Sequence, residues 1–371
     1  MGLSIAQQRD RGFSLIELMI ALALGLIILL GVTDLFVESS RTQGDVSRAS
    51  RQLENSLFAL DLLAGELALV GYWGEADYPV VADDPNFGPL RLDEMAGETV
   101  AGYPAVPLLC VGTGKQGRNP RVELGWAMEY PLVSGLGVDL EVAMSSAACD
   151  SAISSPKDTE EFVAIRRAST CAADPSGGSD CPPIGNFFHL QTNGCYEPNA
   201  NLSGGEIKLH RVTDADADAV LNYRDFGCGS ASSERAPIYR YVSRIYYVNQ
   251  RDELVRLELA DSNTYRESVL VEGVEALRFE WLIDRTSDGD YDLIRSVADD
   301  DWSEEARTND WQNVVGVNMS MIVRSSAPQT GYHDTNIYQL PGQTWTNNKD
   351  QHPRILRSRT VELINVAGRR R

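Results

Sequence analysis

Histidine is scarce in this chain: four residues, at positions 189, 210, 333 and 352, are too scattered to suggest a catalytic base. None of the six cysteines belongs to a C-x-x-C pair, which argues against a zinc ribbon or a thioredoxin-type site. There is no Walker A loop, no H-E-x-x-H and no G-x-S-x-G. Together these gaps argue against an enzyme. Positive charge is also in deficit, with 33 Lys+Arg against 53 Asp+Glu and a net charge of -20. Such a chain is repelled by a nucleic-acid backbone or an anionic lipid surface as its main partner. Core-forming residues are not lacking: 43% hydrophobic and 23% charged excludes wholesale disorder. The 371 residues suffice for two average domains or one large one.

The long apolar runs are confined to the N-terminus. Residues 1–12 are polar and slightly basic, with Arg9 and Arg11 against Asp10. From Phe13 to Val32 the chain reads FSLIELMIALALGLIILLGV, with Glu17 as its single charge. At 1.5 Å per residue this run spans roughly 30 Å, one bilayer core. A secretory signal peptide would end in a small-x-small cleavage site and a polar break, whereas this run continues without proline until Pro79. A membrane anchor is the other simple reading. Arg9 and Arg11 then hold the start in the cytoplasm and send the rest across. Beyond the bilayer, Val46, Ala49, Leu53, Leu57, Leu60, Ala64 and Leu67 recur at three- and four-residue steps, predicting one helical stripe. Gly71 and Gly74 are the expected stop, and Gly25, Gly31 and Gly44 are soft points. A carboxylate in a membrane helix is costly, so Glu17 either snorkels near the helix start or meets a partner. If the chain is cut before Phe13, a free α-amine lies one turn away, its own or a neighbour's.

The run Gly12-Phe13-Ser14-Leu15-Ile16-Glu17-Leu18-Met19-Ile20 resembles the prepilin processing site of type IV pilins and type II secretion pseudopilins. The resemblance implies cleavage between Gly12 and Phe13 by a prepilin peptidase and N-methylation of Phe13. It also implies that Glu17 sets assembly register by pairing with a mature N-terminus. Residues 1–12 are then a leader, 13–72 a long helix that is transmembrane over 13–32, and 73–371 a periplasmic or extracellular head.

The head shows strand signals at Val138–Met144, Phe162–Arg166 and Ile207–Val212. Tyr239–Val248, a turn at Asn249-Gln250-Arg251-Asp252, and Glu253–Leu259 read as a hairpin. Alternation recurs over Leu277–Ile283 and Val315–Val323. The fold class is α+β: a long helix, then an antiparallel sheet with one wet face. IYRYVSRIYYVNQRDELVRLEL, VLVEGVEALRFEWLIDRTSDGD, NVVGVNMSMIVRS and RILRSRTVELINV are similar to the PilW-type minor pilins. That likeness implies a type IV pilin-like fold with a large head and a place at the pilus tip, priming or capping assembly. The implied partners are other minor pilins, the major pilin, the peptidase, a tip adhesin and the inner membrane, held N-in and C-out before assembly. A minor pseudopilin of type II secretion, or a pilin-borne adhesin head, is the alternative.

An oxidising periplasm permits bridges. Cys171 and Cys181 flank CAADPSGGSDC, a loop with nothing obvious to pack, and form the first candidate pair; Cys195 and Cys228 form the second. Gly112-Thr113-Gly114-Lys115-Gln116-Gly117 matches a dinucleotide fingerprint, but Pro120 follows instead of a helix. Asp284, Asp288, Asp290 and Asp292 concentrate carboxylates between two strands. They read as a solvated turn, with calcium as the alternative, although the spacing is not that of an EF-hand. Asp214, Asp216 and Asp218 invite the same thought. No other cofactor is expected.

Overall fold

A computed structural model of the chain describes residues 14–74, 80–84, 88–90, 128, 130–145, 153–173, 181, 184–185, 187–193, 206–212, 221–225, 235–260, 265–297, 302, 310–346 and 350–367. Helix α1 runs over Leu15–Ala68, unbroken through Gly25, Gly31 and Gly44. The chain divides into two units, Met1–Arg51 and Gln52–Arg371.

In the first unit every large apolar side chain from Leu15 to Val37 stands exposed. A window of this helix reaches a mean hydropathy of 2.8, long and apolar enough to cross a membrane. In the second unit the helix buries Gln52, Ser56, Ala59, Leu60, Leu63, Ala64 and Leu67. The expected stripe is therefore corrected: Leu53 and Leu57 are exposed, and two polar residues stand on the packed face. Hydrogen bonds explain the rotation. Gln52 Nε2 donates to Val323 O at 2.7 Å and Pro353 O at 3.0 Å, and Ser56 Oγ donates to Leu53 O at 2.8 Å. Polar groups so satisfied are buried at little cost. After Ala68 the chain turns at Gly71, whose φ of 72° favours glycine and whose N–H donates to Arg166 O at 3.0 Å.

The first strands are β1 (Val80–Asp84), β2 (Gly88–Leu90) and β3 (Leu132–Leu136), followed by helix α2 (Gly137–Ser145). Then come β4 (Glu161–Ala172), β5 (Phe187–Thr192), β6 (Glu206–Val212), β7 (Ile238–Val248), β8 (Glu253–Leu259) and β9 (Tyr265–Glu272). Among the described residues these nine strands form one sheet, antiparallel except for β1 against β6. Strand β7 pairs with β4 along one edge and shares its other edge between β5 and β8. The hairpin turn is as read: Asn249 Oδ1 accepts from the N–H groups of Arg251 and Glu253, and Asp252 takes a φ of 61°.

A second sheet has the order β11 (Leu293–Arg295), β10 (Val274–Ile283), β12 (Val314–Arg324), β15 (Arg354–Glu362). Strands β13 (Ile337–Leu340) and β14 (Gln343–Thr346) form a separate hairpin, and α3 (Ile364–Ala367) closes the described chain.

Two expectations fail for physical reasons. Val138–Met144 is helical, because the buried residues are Leu140 and Met144, four apart. The donors at its start are satisfied: Leu136 N–H by Asp139 Oδ2, Gly137 N–H by Glu160 O and Val138 N–H by Asp158 O. Nor does the larger sheet keep one face wet at its centre. On β4, Val163 and Ile165 join the core that contains Leu60, Leu63 and Leu67 of α1, while Phe162 and Ala164 join a second core with Trp73, Leu190 and Ile245.

Candidate functional site

The processing residues Gly12 and Phe13 lie outside the described residues, but the helix start beside them is defined. Ser14 precedes the first helical residue, and its N–H donates to Glu17 Oε2 at 3.0 Å. Ser14 O accepts from Leu18 N–H at 3.2 Å. Ser-Leu-Ile-Glu is thus half of a capping box, a signal present in the sequence that the membrane reading of Glu17 overlooks. The carboxylate sits where the helix presents unpaired donors and partial positive charge, which makes it tolerable there. Its other oxygen has no hydrogen bond among the described residues, so the group can still accept from a cation. Leu15, Ile16, Leu18, Met19 and Ile20 surround it, all more than half exposed. The result is a single acceptor set in an apolar collar.

The head is held by carboxylate–guanidinium contacts that sequence patterning did not identify. Glu66 of α1 receives Arg167 Nη2 at 3.2 Å and Arg244 Nη1 at 2.5 Å, tying the helix to β4 and β7. Glu160 precedes β4, Glu161 opens it, and both serve β10. Leu277 N–H donates to Glu160 Oε2 at 2.9 Å, and Phe279 N–H donates to Glu161 Oε2 at 3.2 Å. Two carboxylates thus occupy the edge of β10 that β11 reaches only at Trp281–Ile283. Arg278 Nη1 donates to Glu160 at 3.1 Å, and Ser296 Oγ donates to Glu161 Oε1 at 3.1 Å. Burial pushes the Glu161 carboxyl up to about 8, and it raises Glu160 as well, against the opposing pull of Arg278 on both. The only hints in the sequence were adjacent acids before an apolar run and an arginine within an alternating strand.

Arg354 forms a second hub, bidentate to Glu275 at 2.5 and 2.9 Å and to Asp350 at 2.6 and 2.8 Å. The Arg354 hydrogen bond holds the Asp350 carboxyl below the usual carboxylate range. A cleft of about 490 Å³ lies beside this hub, lined by Lys157, Gln250, Asp252, Glu275 and Trp345 among others. Lys157 is already engaged by Asp252 and by Glu275 O.

The four aspartates of the candidate calcium turn bond mainly to their own loop. Asp284 accepts from the N–H groups of Ser287 and Gly289, Asp292 from those of Arg285 and Thr286, and Asp288 from that of Asp290. Among the described residues no three His, Cys, Asp or Glu side chains form a group that could hold a metal ion. Asp214, Asp216 and Asp218, the Gly112–Gly117 fingerprint, Cys195 and Cys228 lie outside the described residues. Cys171 and Cys181 form a disulfide, with Cα atoms 5.7 Å apart.

Two known families match the chain. Residues 7–33 match the prokaryotic N-terminal methylation motif, and residues 244–365 match Type IV Pilus-assembly protein W. No curated protein and no solved structure matches it. The second region runs from the middle of β7 into α3, and so contains β10, β12 and β15 together with Arg244, Arg278 and Arg354. With an apolar N-terminal helix and a β-rich head between and around these regions, the chain belongs, over the parts they cover, to the PilW-like type IV pilin and pseudopilin superfamily.

Proposed function

We propose that this chain is a minor pilin of type IV pilus assembly. It is cut between Gly12 and Phe13 by a prepilin peptidase and methylated on the Phe13 amine. Before assembly it is anchored once in the bacterial inner membrane, N-in and C-out. It then joins other minor pilins to prime or cap the filament, meeting the major pilin below and a tip adhesin above. The observation that carries the reading is the pairing, in one chain, of a methylation motif with a PilW region. A large head supports a tip position, because a head of this size repeated along a thin fibre would crowd.

The mechanism lies in Glu17. Transfer of the helix from lipid into a bundle leaves its carboxylate in apolar surroundings, where an ammonium partner outweighs an N–H donor. A neighbour's methylated amine fixes axial register by taking that place. Mass spectrometry of sheared filaments and of the membrane fraction tests this. A peptide that begins at N-methylated Phe13 is expected in the filaments. Retention of that peptide in the membrane alone points to a pseudopilin, and an intact Met1 removes the pilin reading. Glu17→Ala should be cleaved normally yet enter filaments at least about tenfold less, the cost of losing one buried charge pair. Normal incorporation of that variant would refute the register role.

A further inference from the structure

Among the described residues, strand β15 ends the four-stranded sheet and has a neighbour on one side only. Its register with β12 is unbroken from Arg354 opposite Arg324 to Glu362 opposite Gly316. Ser325 N–H donates to Pro353 O at one end and Leu363 N–H to Val315 O at the other. Bonded and non-bonded pairs alternate along an antiparallel ladder, so these two bonds fix its phase. Ile355, Arg357, Arg359 and Val361 direct their backbone groups at β12. Leu356, Ser358, Thr360 and Glu362 direct theirs outward, over a length of about 20 Å. No described residue takes a backbone hydrogen bond from these four. At the strand's start, the Tyr338 hydroxyl reaches Arg354 O at 3.4 Å and closes the open stretch.

Three side-chain observations narrow what can pair here. Arg357 and Arg359 are exposed on the face that α1 covers, and Arg359 meets Asp61 of α1. Arg357 has no carboxylate partner among the described residues. Leu57 lies one helical turn before Asp61 on the same flank of α1, and it is 48% exposed. The α1-facing side of this edge therefore carries two arginines, Arg357 unpaired among the described residues and Arg359 paired with Asp61, on a chain of net charge -20. It borders apolar surface, while Glu362 stands on the opposite face. A second copy would bring the same arginines across the pairing axis, and like charges placed opposite one another destabilise a sheet.

We propose that β15 is a docking edge for an extended segment of a different polypeptide. That segment adds a strand outside β15 and carries carboxylates facing Arg357 and Arg359. Backbone groups supply the pairing, the arginines select the charge, and Leu57 is covered by the added strand.

The test uses the full-length chain in neutral detergent micelles, with residue-resolved amide hydrogen exchange as the readout. In the chain alone, the amides of Leu356, Ser358, Thr360 and Glu362 should exchange at least about tenfold faster than those of Ile355, Arg357, Arg359 and Val361. A nine-residue peptide of alternating glutamate and threonine should slow the outward set, while its lysine counterpart should not. Thr360→Pro removes an outward N–H and no β12 ladder bond, so it should abolish that protection and leave the inward amides slow. Arg357→Glu should weaken peptide binding about tenfold without altering the strand's own exchange pattern. Slow outward amides in the chain alone, no response to millimolar acidic peptide, or equal response to the lysine peptide would each overturn the proposal. Protection that rises with protein concentration without peptide would assign the edge to a second copy and overturn the stated occupant.

Discussion

Replacing Glu161 separates two roles that one carboxyl plays, as acceptor for a strand edge and as a titrating group. It is fully buried, accepts from Phe279 N–H and Ser296 Oγ, and lies 4.0 Å from Arg278 Nε. Arg278 is already bonded to Glu160, so one guanidinium faces two acids. Burial, the largest influence, pushes the Glu161 carboxyl from its ordinary 4.5 to about 8. At neutral pH the group is therefore mostly protonated in the fold. A carboxyl raised on folding contributes stability that is fully present below 4.5 and is lost as pH climbs through about 8. Across that window the loss approaches about 1.4 kcal/mol per pH unit. Glu161→Gln keeps an acceptor for Phe279 and cannot titrate. Near pH 4.5 it should lie within about 1 kcal/mol of the parent, and the parent should then lose about 3 kcal/mol relative to the variant between pH 5 and 8. Glu161→Ala leaves the Phe279 N–H unsatisfied and opens a void, at a cost of about 3 kcal/mol. Urea unfolding of the full chain in detergent, followed by the fluorescence of Trp281, Trp302 and Trp311, measures all three. A pH-independent difference between parent and Gln variant would refute the buried neutral acid, and an alanine variant as stable as the glutamine one would refute the edge role.

Glu66→Ala removes the shared partner of Arg167 and Arg244, leaving Arg244 with Glu258 at 3.1 Å and the largely buried Arg167 without its carboxylate. It should cost about 3 kcal/mol by the same unfolding assay, and Glu66→Gln should recover part of that. The Cys171→Ser, Cys181→Ser pair should lower the urea midpoint by the equivalent of up to about 3 kcal/mol, and limited proteolysis should then cut between the two positions. An unchanged midpoint would mean that the short loop is equally restricted without its bridge.

Much of this fold was legible because its signals are local. The Glu253–Leu259 hairpin partner, β10 and β12 each alternate over enough residues to commit to a strand, and the long helix needs only its unbroken apolar run and the glycines after it. The Cys171–Cys181 pair was legible because the two cysteines flank a loop with nothing obvious to pack. Val138–Met144 failed because four apolar residues at alternate positions include a pair four apart, and both periods fit so short a segment. The supply of acceptors decided between them: Asp139 Oδ2, Glu160 O and Asp158 O were there to cap a helix. The last two come from beyond the segment, so its own residues do not encode them.

The same dependence on distant partners explains the shifted face of α1. Ranking by hydropathy puts Leu53 and Leu57 inside and Gln52 and Ser56 outside. Burial of Gln52 depends on two carbonyls some three hundred residues further on, those of Val323 and Pro353. Once Gln52 is held there, the helical repeat carries Ser56, Ala59 and Leu63 into the core and leaves Leu53 and Leu57 on the flank. The side chain that sets the helix's rotation is thus a polar one. Two leucines are left exposed on the flank of α1 whose Asp61 meets Arg359 of the edge strand, and what looks like imperfect amphipathicity in the sequence becomes part of a surface.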